Sequence, residues 1–203
     1  IEKIWNKIFR RFTYMGSRGA STNAISGVDI ALWDIFGKVH NEPIYNLLGG
    51  PIRENIELYT HPDPGIGPDE AKKQAKAIAD SGHTAMKFDP FPGFEDEKNG
   101  YLSGKMDIRG ESIGVEITEA MREGAGPDME LLIDADGRFD VPTSVRLANS
   151  VEHVGIHWWE EPVPVESNHA LQNVRDQIDI PISVGERLHT RWEFVDVLEN
   201  NLT

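Results

Sequence analysis

The chain has 203 residues, of which 39% are hydrophobic and 27% are charged, a composition typical of globular proteins and unlike that of disordered or fibrous chains. The net charge of -14, from 34 acidic against 20 basic residues, argues against nucleic acid or an anionic membrane as a partner. The absence of cysteine excludes disulfide scaffolds, thiolate metal sites and cysteine nucleophiles, and no apolar run approaches the roughly 20 residues of a membrane span. We therefore expect a cytoplasmic protein that binds neither nucleic acid nor membrane.

The N-terminal part of the chain carries two helical patterns. Apolar residues recur at helical spacing in residues 1–12 and again in residues 25–39, so two helices are predicted before the first strand. Basic residues interleave the first pattern and would also suit a partner or membrane surface, but packing on its own domain is the favoured interpretation. Leu48-Gly49-Gly50-Pro51 predicts a stop, so residues 1–51 are predicted to form a helical segment and residues 52–203 the next domain.

From residue 52 onward, short apolar strands alternate with helices. Strands are predicted near residues 56–60, 84–88, 130–134, 156–160 and 182–184. Helices are predicted near residues 69–81, 110–124, 143–153, 168–177 and 190–199. This alternation predicts an α/β fold with a parallel sheet, either a barrel or a doubly wound sheet. No glycine-rich phosphate-binding sequence follows a strand, which favours the barrel.

Residues 89–109 interrupt the alternation. Prolines and glycines lie there among Phe91, Phe94 and Tyr101, and the segment is longer than most connections without secondary structure. It is predicted to be either disordered or a functional cover, and the cover is the favoured interpretation.

Three predicted strands end at or just before an acidic residue. Asp134, Glu160 and Glu186 are spaced 26 residues apart, which is one strand-helix unit, so they occupy the same phase of three neighbouring strands. The carboxyl ends of barrel strands meet on one rim, where active sites lie. Three carboxylates without cysteine or histidine favour Mg²⁺, or Mn²⁺, over zinc or copper. The alternative is that each acid caps the helix that follows it.

Strand alternation also groups other residues near this rim. Lys87 and Asp89 share a face at the end of the second strand, as Asp134 and Asp136 do at the third. By the same rule, only one glutamate of the Glu160-Glu161 pair can face a metal. Lys87 could act as a base or stabilise an oxyanion, and the alternative is a surface lysine.

Five sequence motifs together resemble one known family. The motifs are Ala31-Leu32-Trp33-Asp34, Leu47-Leu48-Gly49-Gly50-Pro51, Asp134-Ala135-Asp136-Gly137-Arg138, Trp159-Glu160-Glu161-Pro162 and Gly185-Glu186-Arg187. The sequence resembles the enolase superfamily, in its mandelate racemase/muconate lactonizing enzyme branch, and within that the acid-sugar dehydratases. The resemblance implies a helical end of an α+β capping domain followed by part of a TIM-like (β/α)₇β barrel, with Mg²⁺ held by Asp134, Glu160 and Glu186.

The resemblance also implies a reaction, although some residues depart from the family pattern. Family chemistry abstracts the proton α to a carboxylate, gives an enediolate, and in dehydratases expels the β-hydroxyl. Lys87-Phe88-Asp89 replaces the Lys-x-Lys of racemases, and Asp136 stands where some dehydratases carry histidine. Lys87, Asp89 and Asp136 are therefore the catalytic candidates, and Arg187 and His189 are candidates for substrate binding.

The resemblance covers only the middle of family chains. Strands six to eight, with an aspartate and histidine dyad, would lie beyond Thr203, so we expect a fragment with at most weak Mg²⁺ binding and no turnover. The predicted function is dehydration of a small-molecule sugar acid by a homo-oligomer. The alternatives are a racemase or cycloisomerase of the same family, a barrel glycosidase with two catalytic carboxylates, and an inactive truncated oligomerising module.

Overall fold

The computed structural model describes residues 1–16, 18–93 and 103–203. Contacts divide these residues into two compact units, one of residues 1–56 with 189–193 and one of residues 57–188 with 194–203. No helix within the described ranges is long and apolar enough to cross a bilayer. The domain boundary predicted at Pro51 stays a prediction.

The first unit is helical. Its described residues form α1 (Glu2–Arg11), α2 (Ala20–His40) and the short α3 (Ile44–Leu47). In α1, the Trp5 ring stacks on Phe9 with centroids 4.8 Å apart, and no residue of α1 is fully buried.

The prediction of two helices before the first strand missed α3. Pro43 immediately precedes α3 with an extended backbone (φ -64°, ψ 145°), the conformation usual for the residue at the N-terminal cap of a helix. Gly49, with a φ of 118°, then prevents further helix.

The second unit is an α/β structure around a parallel sheet, as the sequence predicted. Its strands are β1 (Tyr59–Thr60), β2 (Ala85–Phe88), β3 (Glu130–Asp134), β4 (Ile156–Glu160) and β5 (Ile182–Ser183). Its helices are α4 (Pro68–Asp80), α5 (Ile108–Ala125), α6 (Val141–Val151), α7 (Asn168–Arg175) and α8 (Thr190–Glu199), and the start of α8 groups with the first unit. All neighbouring strands are parallel, in the order β1-β2-β3-β4-β5. Sequential order with a helix after each strand is the arrangement of a βα barrel.

Some element bounds differ from the sequence prediction. β1 begins at Tyr59 and not near residue 56, and its short pairing to β2 leaves the preceding residues outside the sheet. α5 begins at Ile108 because the Asp107 side chain accepts a hydrogen bond from the Gly110 backbone and caps the helix there. Part of the predicted cover at residues 89–109, namely residues 94–102 with Phe94 and Tyr101, lies outside the described residues.

The two faces of the sheet differ in chemistry. The face toward the helices is apolar, and its fully buried side chains include Leu131, Ile133 and Trp159. The Trp159 indole donates a hydrogen bond to Ser144 of α6 at 3.1 Å. Alternation along β3 and β4 therefore places Asp134, Trp158 and Glu160 on the opposite face, at the carboxyl ends of their strands.

One arginine binds the loops that lead into β3 and β4, at the ends of these strands opposite to Asp134 and Glu160. Arg122 of α5 donates hydrogen bonds to the backbone carbonyls of Gly126 at 3.0 Å and Met129 at 2.6 Å, which lead into β3. It also donates to Val154 at 3.0 Å and Gly155 at 2.9 Å, which lead into β4. Arg122 thus holds two loops with one side chain.

Replacement of Arg122 by methionine is expected to lower the free energy of unfolding by about 2–3 kcal/mol, because several part-buried carbonyls lose a charged donor. Urea unfolding followed by circular dichroism measures this loss. Arg175→Met is the control, since Arg175 is half-exposed and its ion pair is with the adjacent Asp176. Equal losses for the two variants would contradict the role of Arg122.

Candidate functional site

Three carboxylates meet at the carboxyl ends of β3, β4 and β5. Asp134 and Glu160 are the last residues of β3 and β4 and pair in register, whereas Glu186 lies in the turn after β5. One carboxylate oxygen from each lies within 4.8 Å of the other two. The structure thus brings together the three acids that the equal spacing selected.

The donor set fits a hard divalent cation. Six oxygens about 2.1 Å from Mg²⁺ would lie roughly 3 Å apart when adjacent and about 4.2 Å apart when opposite. Glu186 is the exposed member of the cluster, so rotation of its side chain can close the remaining gap. Carboxylates are the ligands that Mg²⁺ and Mn²⁺ prefer, and metal binding by these three stays a prediction.

Lys87 of β2 bridges two of the acids. Its ammonium lies 2.6 Å from Glu160 Oε1 and 2.9 Å from Asp134 Oδ2, and 5.4 Å from the centre of the Tyr59 ring. Burial by itself would lower the pKa of Lys87, but the hydrogen bonds and charges of Glu160 and Asp134 raise it above its ordinary value. Lys87 is therefore a buried cation at neutral pH and not the surface lysine of the alternative interpretation.

Two further donors orient the acids. The Trp158 indole donates to Glu160 Oε2 at 2.9 Å, and the Asp136 backbone donates to Asp134 Oδ1 at 3.1 Å. Both Glu160 oxygens are thus engaged, one by Trp158 and one by Lys87. Sequence analysis missed Trp158, although its position two residues before Glu160 places it on the same face of β4.

Three carboxyl groups near this rim, those of Glu160, Asp136 and Glu186, hold raised pKa values. Burial, followed by repulsion from Asp134, raises the pKa of Glu160 even though Lys87 and Trp158 oppose the shift. Burial and the charge of Asp134 also raise the pKa values of Asp136 and Glu186. The cluster therefore carries excess negative charge, which a divalent cation would neutralise.

Asp89 binds an arginine. Both Asp89 oxygens accept hydrogen bonds from Arg138 Nη2, at 2.7 and 2.5 Å, and Arg138 also donates to the Phe91 carbonyl at 3.1 Å. The Arg138 side chain is fully buried. Burial raises the pKa of Asp89 to about 7, against the attraction of Arg138. A catalytic role for Asp89 stays a prediction.

Arg187 binds Glu161. Its guanidinium donates to Glu161 Oε2 through Nε at 3.0 Å and through Nη2 at 2.5 Å. His189, the other predicted substrate contact, belongs to the unit of residues 1–56 and 189–193, where its backbone donates to Glu193 at 2.7 Å. Substrate binding by Arg187 and His189 stays a prediction.

A sequentially ordered parallel sheet whose strand ends present converging carboxylates defines a βα-barrel type of site. Residues 70–203 match the family model described as enolase C-terminal domain-like, and residues 1–49 match the model for the mandelate racemase/muconate lactonizing enzyme N-terminal domain. The chain therefore belongs to the enolase superfamily, in its mandelate racemase/muconate lactonizing enzyme branch.

Individual relatives agree with this family. The D-gluconate/D-galactonate dehydratase of Picrophilus torridus is 29% identical over 100% of the chain and 52% of its own length. The crystal structure of a mandelate racemase/muconate lactonizing enzyme-like protein from Rubrobacter xylanophilus is 31% identical with a TM-score of 0.90, over 100% of this chain and 56% of that one. The 3,6-anhydro-D-galactonate cycloisomerase of Zobellia galactanivorans is 29% identical with a TM-score of 0.83, over 100% and 52%. The chain thus spans about half the length of these relatives.

Proposed function

We propose that the chain is part of a Mg²⁺- or Mn²⁺-dependent dehydratase that converts a sugar acid to a 2-keto-3-deoxy acid. The observation that carries this proposal is the convergence of Asp134, Glu160 and Glu186 at the ends of successive strands, beside the buried ammonium of Lys87. The similarity to a D-gluconate/D-galactonate dehydratase supports sugar acids as the substrate class.

The metal would be held by Asp134, Glu160 and Glu186 and would stabilise negative charge as it develops on the substrate carboxylate. The raised pKa of Lys87 keeps its side chain protonated at neutral pH, so the ammonium is neither a base nor a ready proton donor there but a fixed positive charge that can stabilise a developing anion. Asp136 has a raised pKa and lies close enough to Asp134 to be influenced by its charge. A carboxylate of raised pKa is a stronger base, so Asp136 is the candidate to accept the α-proton. Transfer of that same proton to the departing hydroxyl would release it as water and return Asp136 to its carboxylate form.

A second candidate function is cycloisomerisation of a sugar acid. The similarity to the 3,6-anhydro-D-galactonate cycloisomerase favours it, since that protein has the same fold over the whole of this chain. A glycosidase needs two carboxylates and no metal, so Mn²⁺ binding at the three acids argues against that alternative.

The test has two parts. Mn²⁺ binding to the metal-free chain is measured by the loss of the free-ion EPR signal. The chain, and the same chain extended to the length of its relatives, are then assayed with a panel of aldonic and aldaric acids, and keto products are detected as semicarbazones. Mn²⁺ binding with formation of a 2-keto-3-deoxy acid supports the dehydratase. An isomeric product without a keto group would favour the cycloisomerase, and no Mn²⁺ binding would remove both proposals.

Replacement of Lys87 by methionine is expected to tighten Mn²⁺ binding by at least about tenfold. The ammonium repels a metal held by Glu160 and Asp134, and unit charges about 4 Å apart interact by several kcal/mol at an effective dielectric constant near 20. EPR titration measures the change in affinity. Lys76→Met, which removes an exposed lysine paired with Asp80, is the control and should change nothing. Weaker Mn²⁺ binding by the Lys87 variant would mean that the ammonium organises the site more than it repels the metal.

A further inference from the structure

Glu161 lies at the centre of a hydrogen-bond cluster just beyond β4. Its side chain is 3% exposed, and its backbone has a φ of 43°, which is unusual outside glycine. Oε1 accepts a hydrogen bond from the Gly185 backbone at 3.1 Å, and Oε2 accepts from Arg187. The same guanidinium donates to the Val163 carbonyl at 2.8 Å. Glu161 therefore binds both residues that flank Glu186.

The guanidinium of Arg187 also packs against the turn after β3. A Cβ atom added to Gly137 would collide with the terminal atoms of Arg187, and the φ of 64° at this position favours glycine. The Gly137 backbone donates to the Glu161 carbonyl at 2.7 Å. Arg187 and Glu161 thus join three turns, the one after Asp134, the one after Glu160 and the one that contains Glu186.

Glu186 is the acid that most needs this support. Asp134 and Glu160 end strands and are held by ladder hydrogen bonds, by Lys87 and by other donors. Glu186 lies outside β5 and is exposed. Its two neighbours in the chain are the residues that Glu161 binds.

We infer that Glu161 and Arg187 are positioning residues that fix Glu186 for metal binding, an inference that rests on the proposed metal site. The pair acts through Glu186 and does not itself ligate the metal. In this arrangement the guanidinium of Arg187 is committed to Glu161 and the Val163 carbonyl. Loss of the pair would free the turn of residues 185–187, so that an exposed carboxylate must be ordered when the metal binds.

The direction in which Arg187→Met changes Mn²⁺ affinity distinguishes a positioning role of Arg187 from a purely electrostatic one. Arg187 is a cation near the acids, so electrostatics alone predicts that Arg187→Met tightens Mn²⁺ binding. Positioning predicts weaker binding, because the Glu186 turn loses its anchor. Arg187→Lys keeps the charge but lacks the planar fork that meets both Glu161 and Val163, so it should weaken binding as well.

The experiment is EPR titration of metal-free protein with Mn²⁺, beside thermal unfolding without metal. Arg187→Lys and Glu161→Gln are expected to weaken Mn²⁺ binding by about 10- to 100-fold, the usual effect of losing a group that orients a metal ligand. Arg187→Met should weaken it as well, and the Arg187→Lys/Glu161→Gln double variant should bind no worse than about the weaker single variant. Arg175→Met serves as the control and should bind like the parent.

Unchanged or tighter Mn²⁺ binding by folded Arg187→Lys would overturn the inference, as would a lower melting temperature with unchanged affinity, which indicates a purely structural pair. If Arg187→Met does not fold, Arg187→Lys and Glu161→Gln decide. No Mn²⁺ binding by the parent chain would instead remove the proposed metal site, and this inference with it.

Discussion

Replacement of Glu160 by glutamine is expected to weaken Mn²⁺ or Mg²⁺ binding by more than about 100-fold, beyond the effect of losing an orienting neighbour. The metal would lose a charged ligand oxygen, and Lys87 would keep only Asp134 as a carboxylate partner, so its positive charge would repel the metal more strongly. Isothermal titration with Mg²⁺ and EPR titration with Mn²⁺ both measure this change.

Glu166→Gln is the matched control, since Glu166 is exposed in the turn after β4. The Mn²⁺ affinity of Glu166→Gln should equal that of the parent.

The parent should also lose metal affinity on mild acidification. Burial raises the pKa of Glu160, so a proton competes with the metal at a higher pH than it would for an ordinary glutamate. Equal affinities for Glu160→Gln and the parent would exclude Glu160 as a ligand.

The parallel sheet and its acidic cluster could be predicted because both follow from repeating patterns. Buried strands are short apolar runs, and amphipathic helices repeat apolar residues every three to four positions. The order of strands and helices can therefore be predicted from the sequence. The spacing from Asp134 to Glu160 to Glu186 is one strand-helix unit, and parallel strands end on the same rim. The positions of the three acids in the sequence were therefore enough to predict that they lie together at one end of the sheet.

The contacts of the neighbouring side chains could not be predicted in this way. Alternation holds only inside a strand, and Asp89 lies beyond the end of β2, where its side chain turns to Arg138. Asp136 has a φ of 52°, so it leaves the extended backbone that the argument from shared faces assumes. Arg187 binds a residue 26 positions earlier in the sequence, and no local pattern indicates that pair.

The ion pair between Asp89 and Arg138 predicts a loss of stability that depends on pH. Arg138 has no exposed side-chain surface, and it joins the residues after β2 to those after β3. Replacement of Arg138 by methionine leaves a buried carboxylate without its cation, and breaking such a pair costs about 3–5 kcal/mol. We expect this loss in the free energy of unfolding at pH 8, measured with urea.

The loss should shrink as the pH falls. Burial already raises the pKa of Asp89 to about 7 from an ordinary value of 3.8, and removal of Arg138 removes the main opposing influence, so the pKa rises further. The folded variant then binds this proton more tightly than the unfolded chain does, so its stability is highest in acid and falls as the pH rises through the raised pKa.

The double variant Asp89→Asn/Arg138→Met is the control for this pH dependence, because it lacks both charges. Its own free energy of unfolding should vary much less between pH 5 and pH 8 than that of Arg138→Met, because no carboxylate at position 89 is left to bind a proton. Arg146→Met, which removes a half-exposed partner of Glu111, should lower stability by no more than about 1 kcal/mol at either pH. An Arg138→Met variant whose loss is the same at pH 5 and pH 8 would mean that Asp89 is not the group left unpaired, and that Arg138 stabilises the loops through its other contacts, such as those with the Phe91 carbonyl and the Phe139 ring.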